Sequence, residues 1–136
     1  MATPLYNALK KLTLEFDALA AGGGPVALAV TAPDNGILLE LRMPGVPARI
    51  AHMAEGKAFT ASYMGCATSA LHERLHREGI TLAYFMEPRM TAMAGGVPFR
   101  SASGELIAGI GISGRLASED EELALKVIDF LKREMA

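Results

Sequence analysis

The chain has 136 residues, of which 13 are basic and 15 acidic, so its formal net charge is -2. This balance, without any run of lysine or arginine, excludes the basic surface by which proteins bind DNA or RNA. Hydrophobic residues make up 51% of the sequence. A single domain of residues 1–136 is too small to bury that many apolar side chains, so we expect a homo-oligomer.

The sequence also indicates a cytoplasmic location. Its single cysteine, Cys66, cannot form an intramolecular disulfide. Residues 1–25 lack the charged start and continuous apolar run of a secretory signal. No apolar stretch approaches the roughly 18 residues that span a bilayer. We therefore expect a soluble protein of the reducing cytoplasm that does not enter a membrane.

The first part of the chain predicts a helix followed by a hairpin. Apolar residues recur at steps of three and four over 5–19, with Pro4 suited to the first turn of a helix and Gly22 to its end. Two aliphatic segments, 26–31 and 37–42, flank the sequence PDNG. Its Asn-Gly pair favours the positive φ angles of a tight turn, which predicts two antiparallel strands.

The middle of the chain predicts two more helices. Helical spacing returns over 50–64, and a shorter helix over 69–78 is expected to end at Gly79. Methionines in 80–94 also have helical steps, but Pro88 argues against one unbroken helix. We therefore predict a loop that leads into a strand.

The last part predicts a second hairpin, from 97–101 and 105–113, and a final helix. Ser118 and Glu121 have the spacing of a capping box at the start of that helix. Because hairpins dominate, we predict an α+β domain in which helices flank a central antiparallel β-sheet.

The segment GIGISG, residues 109–114, matches the glycine pattern of dinucleotide sites. Such a site also needs a parallel strand with an acidic residue after the helix, and this sequence has only the final helix there. We instead expect a strand whose glycine face includes Ile107, Gly109, Gly111 and Ser113. A face of this kind admits another backbone or a ligand; we favour packing by a helix or a neighbouring subunit.

Residues 72–76, HERLH, match the zinc-peptidase motif HExxH. On a helix, His72 and His76 share a face, and Glu73 would be the general base on a metal-bound water. The position of the third histidine in the extended motif holds Leu82. Because a catalytic zinc site needs three protein ligands, we predict a solvated polar helix and no metal site.

Four segments occur in a characteristic order: GKAFTA (56–61), GGVPF (95–99), GELIAGIGISG (104–114) and SEDEELA (118–124). This set resembles the GlcG/HbpS-like heme-binding family, which includes the C-terminal domain of PduO-type proteins. The resemblance extends over nearly the whole chain. It implies a profilin-like α+β fold, assembly into multimers, and heme or a related tetrapyrrole as the ligand.

The resemblance also implies site residues. Its motif positions give these candidate ligand-binding residues: Lys57, Thr60, Gly95, Gly96, Gly109, Gly111 and Ser113. The same positions could instead maintain the fold. The family pattern does not select an axial ligand for heme iron, so the three histidines, His52, His72 and His76, all stay candidates.

Three functions remain in competition at this point. The leading one is a small-molecule binding module for heme, acting as a homo-oligomer. The second is a small catabolic enzyme for a carboxylated or aromatic metabolite, with Lys57 or a histidine as acid or base. The third is a structural or regulatory oligomer whose glycines contact a neighbouring subunit and whose pocket is empty.

Overall fold

A computed structural model describes residues 2–136 of the chain. The elements in chain order are α1 (Ala2–Leu19), β1 (Ala27–Thr31), β2 (Ile37–Arg42), α2 (Ala48–Met64), α3 (Thr68–Glu78), a 3₁₀ helix (Leu82–Phe85), β3 (Gly96–Arg100), β4 (Leu106–Ser113) and α4 (Ala117–Met135). The predicted α+β class is confirmed, with helices on an antiparallel sheet. Within residues 2–136, no helix combines the length and apolar character needed to cross a membrane.

The sheet has the strand order β2-β1-β4-β3, and every neighbouring pair is antiparallel. Both predicted hairpins are present. Asn35 adopts a φ of 72°, the left-handed conformation expected for the first turn. Strand β4 is hydrogen-bonded to β1 on one side and to β3 on the other. Most of the segment GIGISG therefore belongs to a central strand of the sheet. It does not form the phosphate-binding turn that joins a strand to a helix in dinucleotide sites.

One face of the sheet packs on α1 and α4 through large aliphatic and aromatic side chains. The most deeply buried of these include Leu12, Phe16, Leu28, Val30, Ile110, Ile112, Leu123 and Leu131. The alternation of the strands places Leu28 and Val30 of β1 beside Ile110 and Ile112 of β4. This layer is the main hydrophobic core.

The other face of the sheet packs on α2 and is made of small residues. Ala27 and Ala29 of β1 meet Ala51, Ala54 and Ala58 of α2. A Cβ atom added at Gly111 would collide with the backbone of α2 at Ala54 and Ala58, and one added at Gly109 would collide with the Ala58 carbonyl. The glycines thus let α2 lie directly on the sheet, which is the packing of a helix that the sequence analysis favoured.

A β-bulge changes the expected face of one residue. Phe99 pairs with Ala108, whereas Arg100 pairs with Leu106, so Ile107 is an extra residue on β4. Ile107 packs in the core between the sheet and α1 and α4. Its predicted place on the glycine face is therefore wrong, because the bulge reverses the alternation at this point.

The predicted cap of the last helix is also wrong. Helix α4 begins at Ala117, so Ser118 lies inside its first turn. The Leu116 N–H donates to Glu119 Oε1 at 3.1 Å, which caps the helix two residues before the predicted position. Glu121 instead accepts a hydrogen bond from the Ser69 hydroxyl and joins α4 to α3.

Candidate functional site

A cavity of about 800 Å³, which we call the groove, opens between α2, α3, the segment 91–94 and the start of α4. Its apolar lining comes mainly from Ile50, Met53, Leu82 and Met93, together with alanines of the adjacent loop. Its polar lining comes from Lys57, Ser69, His72, Glu73, Thr91, Ser113, Arg115 and Asp120. A concave apolar site with a few polar groups is typical of small-molecule binding.

Lys57 and Asp120 form a buried ion pair at the floor of the groove. Their side chains are 3% and 2% exposed, and Lys57 Nζ lies 3.1 Å from Asp120 Oδ2. The ammonium also donates to the Ile112 carbonyl oxygen at 2.9 Å. Burial raises the pKa of the Asp120 carboxyl above its ordinary value, although the Lys57 ammonium and the Arg115 N–H oppose this shift. The pair joins α2, β4 and α4 at one point.

Gly95 and Gly96 make room for this arrangement. A Cβ atom added at Gly95 would lie 2.9 Å from Lys57 Nζ and 2.5 Å from the Ile112 carbonyl oxygen, and Gly95 has a φ of 127° that side chains rarely adopt. The Gly96 N–H donates to Thr68 Oγ1 at 3.0 Å. Gly95 thus lies against the Lys57 ammonium and Gly96 against the Lys57 backbone carbonyl, and neither glycine lines the groove.

Thr60 holds the segment that walls one side of the groove. Its hydroxyl donates to the Gly56 carbonyl oxygen at 2.7 Å and accepts the Thr91 N–H at 2.9 Å. Thr91 in turn lines the groove. Thr60 thus acts on the groove through the loop it fixes.

Arg115 lines the groove, and its guanidinium is hydrogen-bonded to the segment that follows α1. The guanidinium donates to the Gly24 carbonyl oxygen at 2.9 Å and to the Ala20 carbonyl oxygen. The Arg115 N–H donates to Asp120 Oδ1 at 3.0 Å. These contacts satisfy the end of α1 and fix the turn before α4.

The three histidines lie in different places. His72 lines the groove. His52 lines a second cavity of about 400 Å³, with its Nδ1 3.8 Å from Glu55 Oε1. His76 lies outside the groove and lines, together with His72, a third cavity of about 460 Å³. Within residues 2–136, no group of three or more histidine, cysteine, aspartate or glutamate side chains could hold a metal ion.

The structure therefore brings Lys57, Ser113 and His72 to one cavity. The groove lining does not include the other candidates among the described residues, namely His52, Thr60, His76, Gly95, Gly96, Gly109 and Gly111. The sequence analysis did not assign Met53 or Ser69 to a site. Helical spacing placed Met53 on the apolar face of a helix. It could not show whether that position lines a groove or lies in the core.

Comparisons with known proteins agree with this architecture. The family model described as "Haem degrading protein HbpS-like" matches residues 6–129. A double mutant of HbpS from Streptomyces reticuli is 30% identical, with a TM-score of 0.77 over 92% of this chain and 84% of that one. The complex of PduOC with heme is 26% identical, with a TM-score of 0.79 over 91% of each chain.

A third structure supports the fold alone. Protein ORFY of Klebsiella pneumoniae is 21% identical, with a TM-score of 0.73 over 96% of this chain and 87% of that one. No curated protein sequence matches the chain. The match of the family model over most of its length shows that the chain belongs to the HbpS-like family.

Proposed function

We propose that this protein binds heme, or a closely related tetrapyrrole, in the groove and acts as a homo-oligomer. The observation that carries the proposal is the position of His72, a histidine on the wall of an apolar cavity, in a chain of the HbpS-like family. The complex of a structural neighbour with heme supports the same ligand class.

The residues of the groove fit a tetrapyrrole. Its volume of about 800 Å³ lies within the range of about 300–1,000 Å³ that is usual for small-molecule sites. Met53 and Met93 offer polarisable thioethers to a flat aromatic face. Ile50 and Leu82 add aliphatic surface. Ser113 lines the groove but is only 2% exposed, so the ring would rest mainly on the apolar walls.

His72 is the histidine we assign to the iron. An imidazole nitrogen is a common axial ligand of heme iron. His72 is exposed on α3 and lines the groove, whereas His52 and His76 line other cavities. When bound, the heme would supply iron that exchanges axial ligands and changes oxidation state. The protein's part is to orient the ring and limit access of water through the apolar walls.

The oligomer has support from the exposed apolar side chains. Leu14, Met86 and Leu116 are each at least 70% exposed, and Ile37 and Leu38 lie exposed on the edge strand β2. Contact between copies would remove such surface from water. The free thiol of Cys66 is consistent with a protein of the reducing cytoplasm, which is the location that we propose.

The test is a hemin titration of the untagged protein, followed by its Soret absorption. We expect a saturable band in the wild type, and a shifted band with weaker affinity in His72→Ala. The matched controls are His52→Ala and His76→Ala, which we expect to match the wild type. Absence of saturable binding in the wild type would overturn the proposal. Native mass spectrometry of the same samples would report the number of subunits and of retained hemes.

A further inference from the structure

Helix α3 carries two exposed histidines, of which only His72 lines the groove. His72 and His76 are four residues apart on the helix Thr68–Glu78, both are exposed, and both line the third cavity. Side chains at this spacing are neighbours on the helix surface, with Cβ atoms about 5–6 Å apart. Two imidazoles at that separation can approach one ion.

Neither imidazole is engaged by the protein. The polar side-chain contacts of α3 within residues 2–136 belong to Thr68, Ser69, Arg74, Arg77 and Glu78. The ring nitrogens of His72 and His76 therefore remain available to a ligand. His52, in contrast, has a carboxylate of Glu55 nearby.

The position on the helix also favours a cation. His76 lies in the last turn of α3, and the C-cap of this helix is Gly79, with a φ of 65°. The C-terminal end of a helix carries partial negative charge and stabilises positive charge nearby. The two arginines nearest to His76 on the helix, Arg74 and Arg77, lie 2.8 Å and 4.0 Å from the Glu78 carboxylate, which offsets part of their positive charge.

We propose that His72 and His76 form a binding site for a divalent late transition-metal ion, with water completing the coordination. Neutral imidazole suits copper, nickel and zinc, and affinity among these ions is highest for Cu²⁺. With two protein ligands, the site is distinct from the catalytic zinc centre that the sequence motif suggests, which requires three. It stands independently of heme binding, although His72 borders both cavities.

The test uses heme-free, untagged protein titrated with Cu²⁺ and followed by calorimetry and by electron paramagnetic resonance. We expect one ion per chain and a spectrum with two nitrogen ligands. His72→Ala and His76→Ala should each lose the calorimetric isotherm and the two-nitrogen spectrum. His52→Ala should retain both.

A spacing control keeps the number of histidines constant. In His76→Ala combined with Arg77→His, two histidines remain on α3, but they are five residues apart and no longer share a face. We expect this variant to bind Cu²⁺ as weakly as His76→Ala. The proposal is overturned by full affinity in either single variant or in the spacing control, or by an equal loss in His52→Ala. Because no heme is present, none of these results depends on the hemin titration.

Discussion

Lys57 Nζ and Asp120 Oδ2 lie 3.1 Å apart in an ion pair that is almost wholly buried between α2 and α4. The same ammonium donates to the Ile112 carbonyl oxygen on β4. Three elements from distant parts of the sequence thus meet at two side chains, directly beneath the groove. Because the Lys57 ammonium already donates two hydrogen bonds within the protein, we expect it to stabilise the fold rather than to transfer a proton.

Removal of the lysine should destabilise the protein strongly. Lys57→Met leaves the Asp120 carboxylate buried without its partner, which we expect to lower the free energy of unfolding by about 3–5 kcal/mol. The double variant Lys57→Met with Asp120→Asn should recover part of that loss, because it removes both charges and keeps an oxygen acceptor for the Arg115 N–H. Urea unfolding monitored by circular dichroism measures these differences. Equal stability of the two variants would contradict the account.

The lysine variant should also acquire a pH dependence with a defined sign. In the wild type the pKa of Asp120 is already raised by burial, and Lys57 opposes that rise. Without the ammonium, the folded-state pKa should rise further above the unfolded value, so the fold gains stability as pH falls. We therefore expect Lys57→Met to be closer to wild-type stability at about pH 5 than at about pH 8. A stability difference between variant and wild type that is the same at both pH values would argue against a buried carboxylate.

Gly111 should not tolerate even one methyl group. A Cβ atom there would collide with the backbone of α2 at Ala54 and Ala58, which cannot rotate away. Gly111→Ala should therefore cost about 1–3 kcal/mol of stability, as overpacking of a core does. The matched control is Gly24→Ala, where nothing lies within 4 Å of the added atom. Thermal unfolding of the two variants makes the comparison, and an equal melting temperature would contradict the tight contact.

Thr60→Val should loosen the wall of the groove while it preserves the shape of the side chain. The Thr91 N–H would lose its acceptor, which lies at 2.9 Å, and a partly buried donor without a partner costs about 1–3 kcal/mol. Amide hydrogen exchange at Thr91 should accelerate. Thr13→Val, on the exposed face of α1, is the control and should leave that amide unchanged.

Much of the fold could be predicted from local patterns. The Asn35-Gly36 pair specified the first hairpin, and helical spacing gave all four α-helices. The bulge at Ile107 could not be predicted, because it depends on how β4 pairs with β3 and not on the residue itself. The start of α4 was misplaced because several acidic residues there offer competing caps, and tertiary contacts decided among them.

The candidate site was harder to predict than the fold. For the glycines at 109 and 111 the sequence favoured packing by a helix or a neighbouring subunit over a ligand, and the placement of α2 shows which of these it is. The assembly of Lys57, His72 and Ser113 around one groove depends on three elements separated in sequence. A residue such as Met53 has the same hydrophobic signal whether it faces a core or a cavity.

The central claim is that a tetrapyrrole binds in the groove, and the most direct test is to locate a bound tetrapyrrole on the protein. A diamagnetic zinc protoporphyrin should shift the NMR signals of nearby methyl groups through its ring current. The account predicts large shifts for the methyl groups of Ile50 and Ala117, which line the groove alone, and none for those of Ile37 and Met90, which line the cavity beside His52. Saturable binding that shifts Ile37 and Met90 and leaves Ile50 and Ala117 unchanged would contradict it.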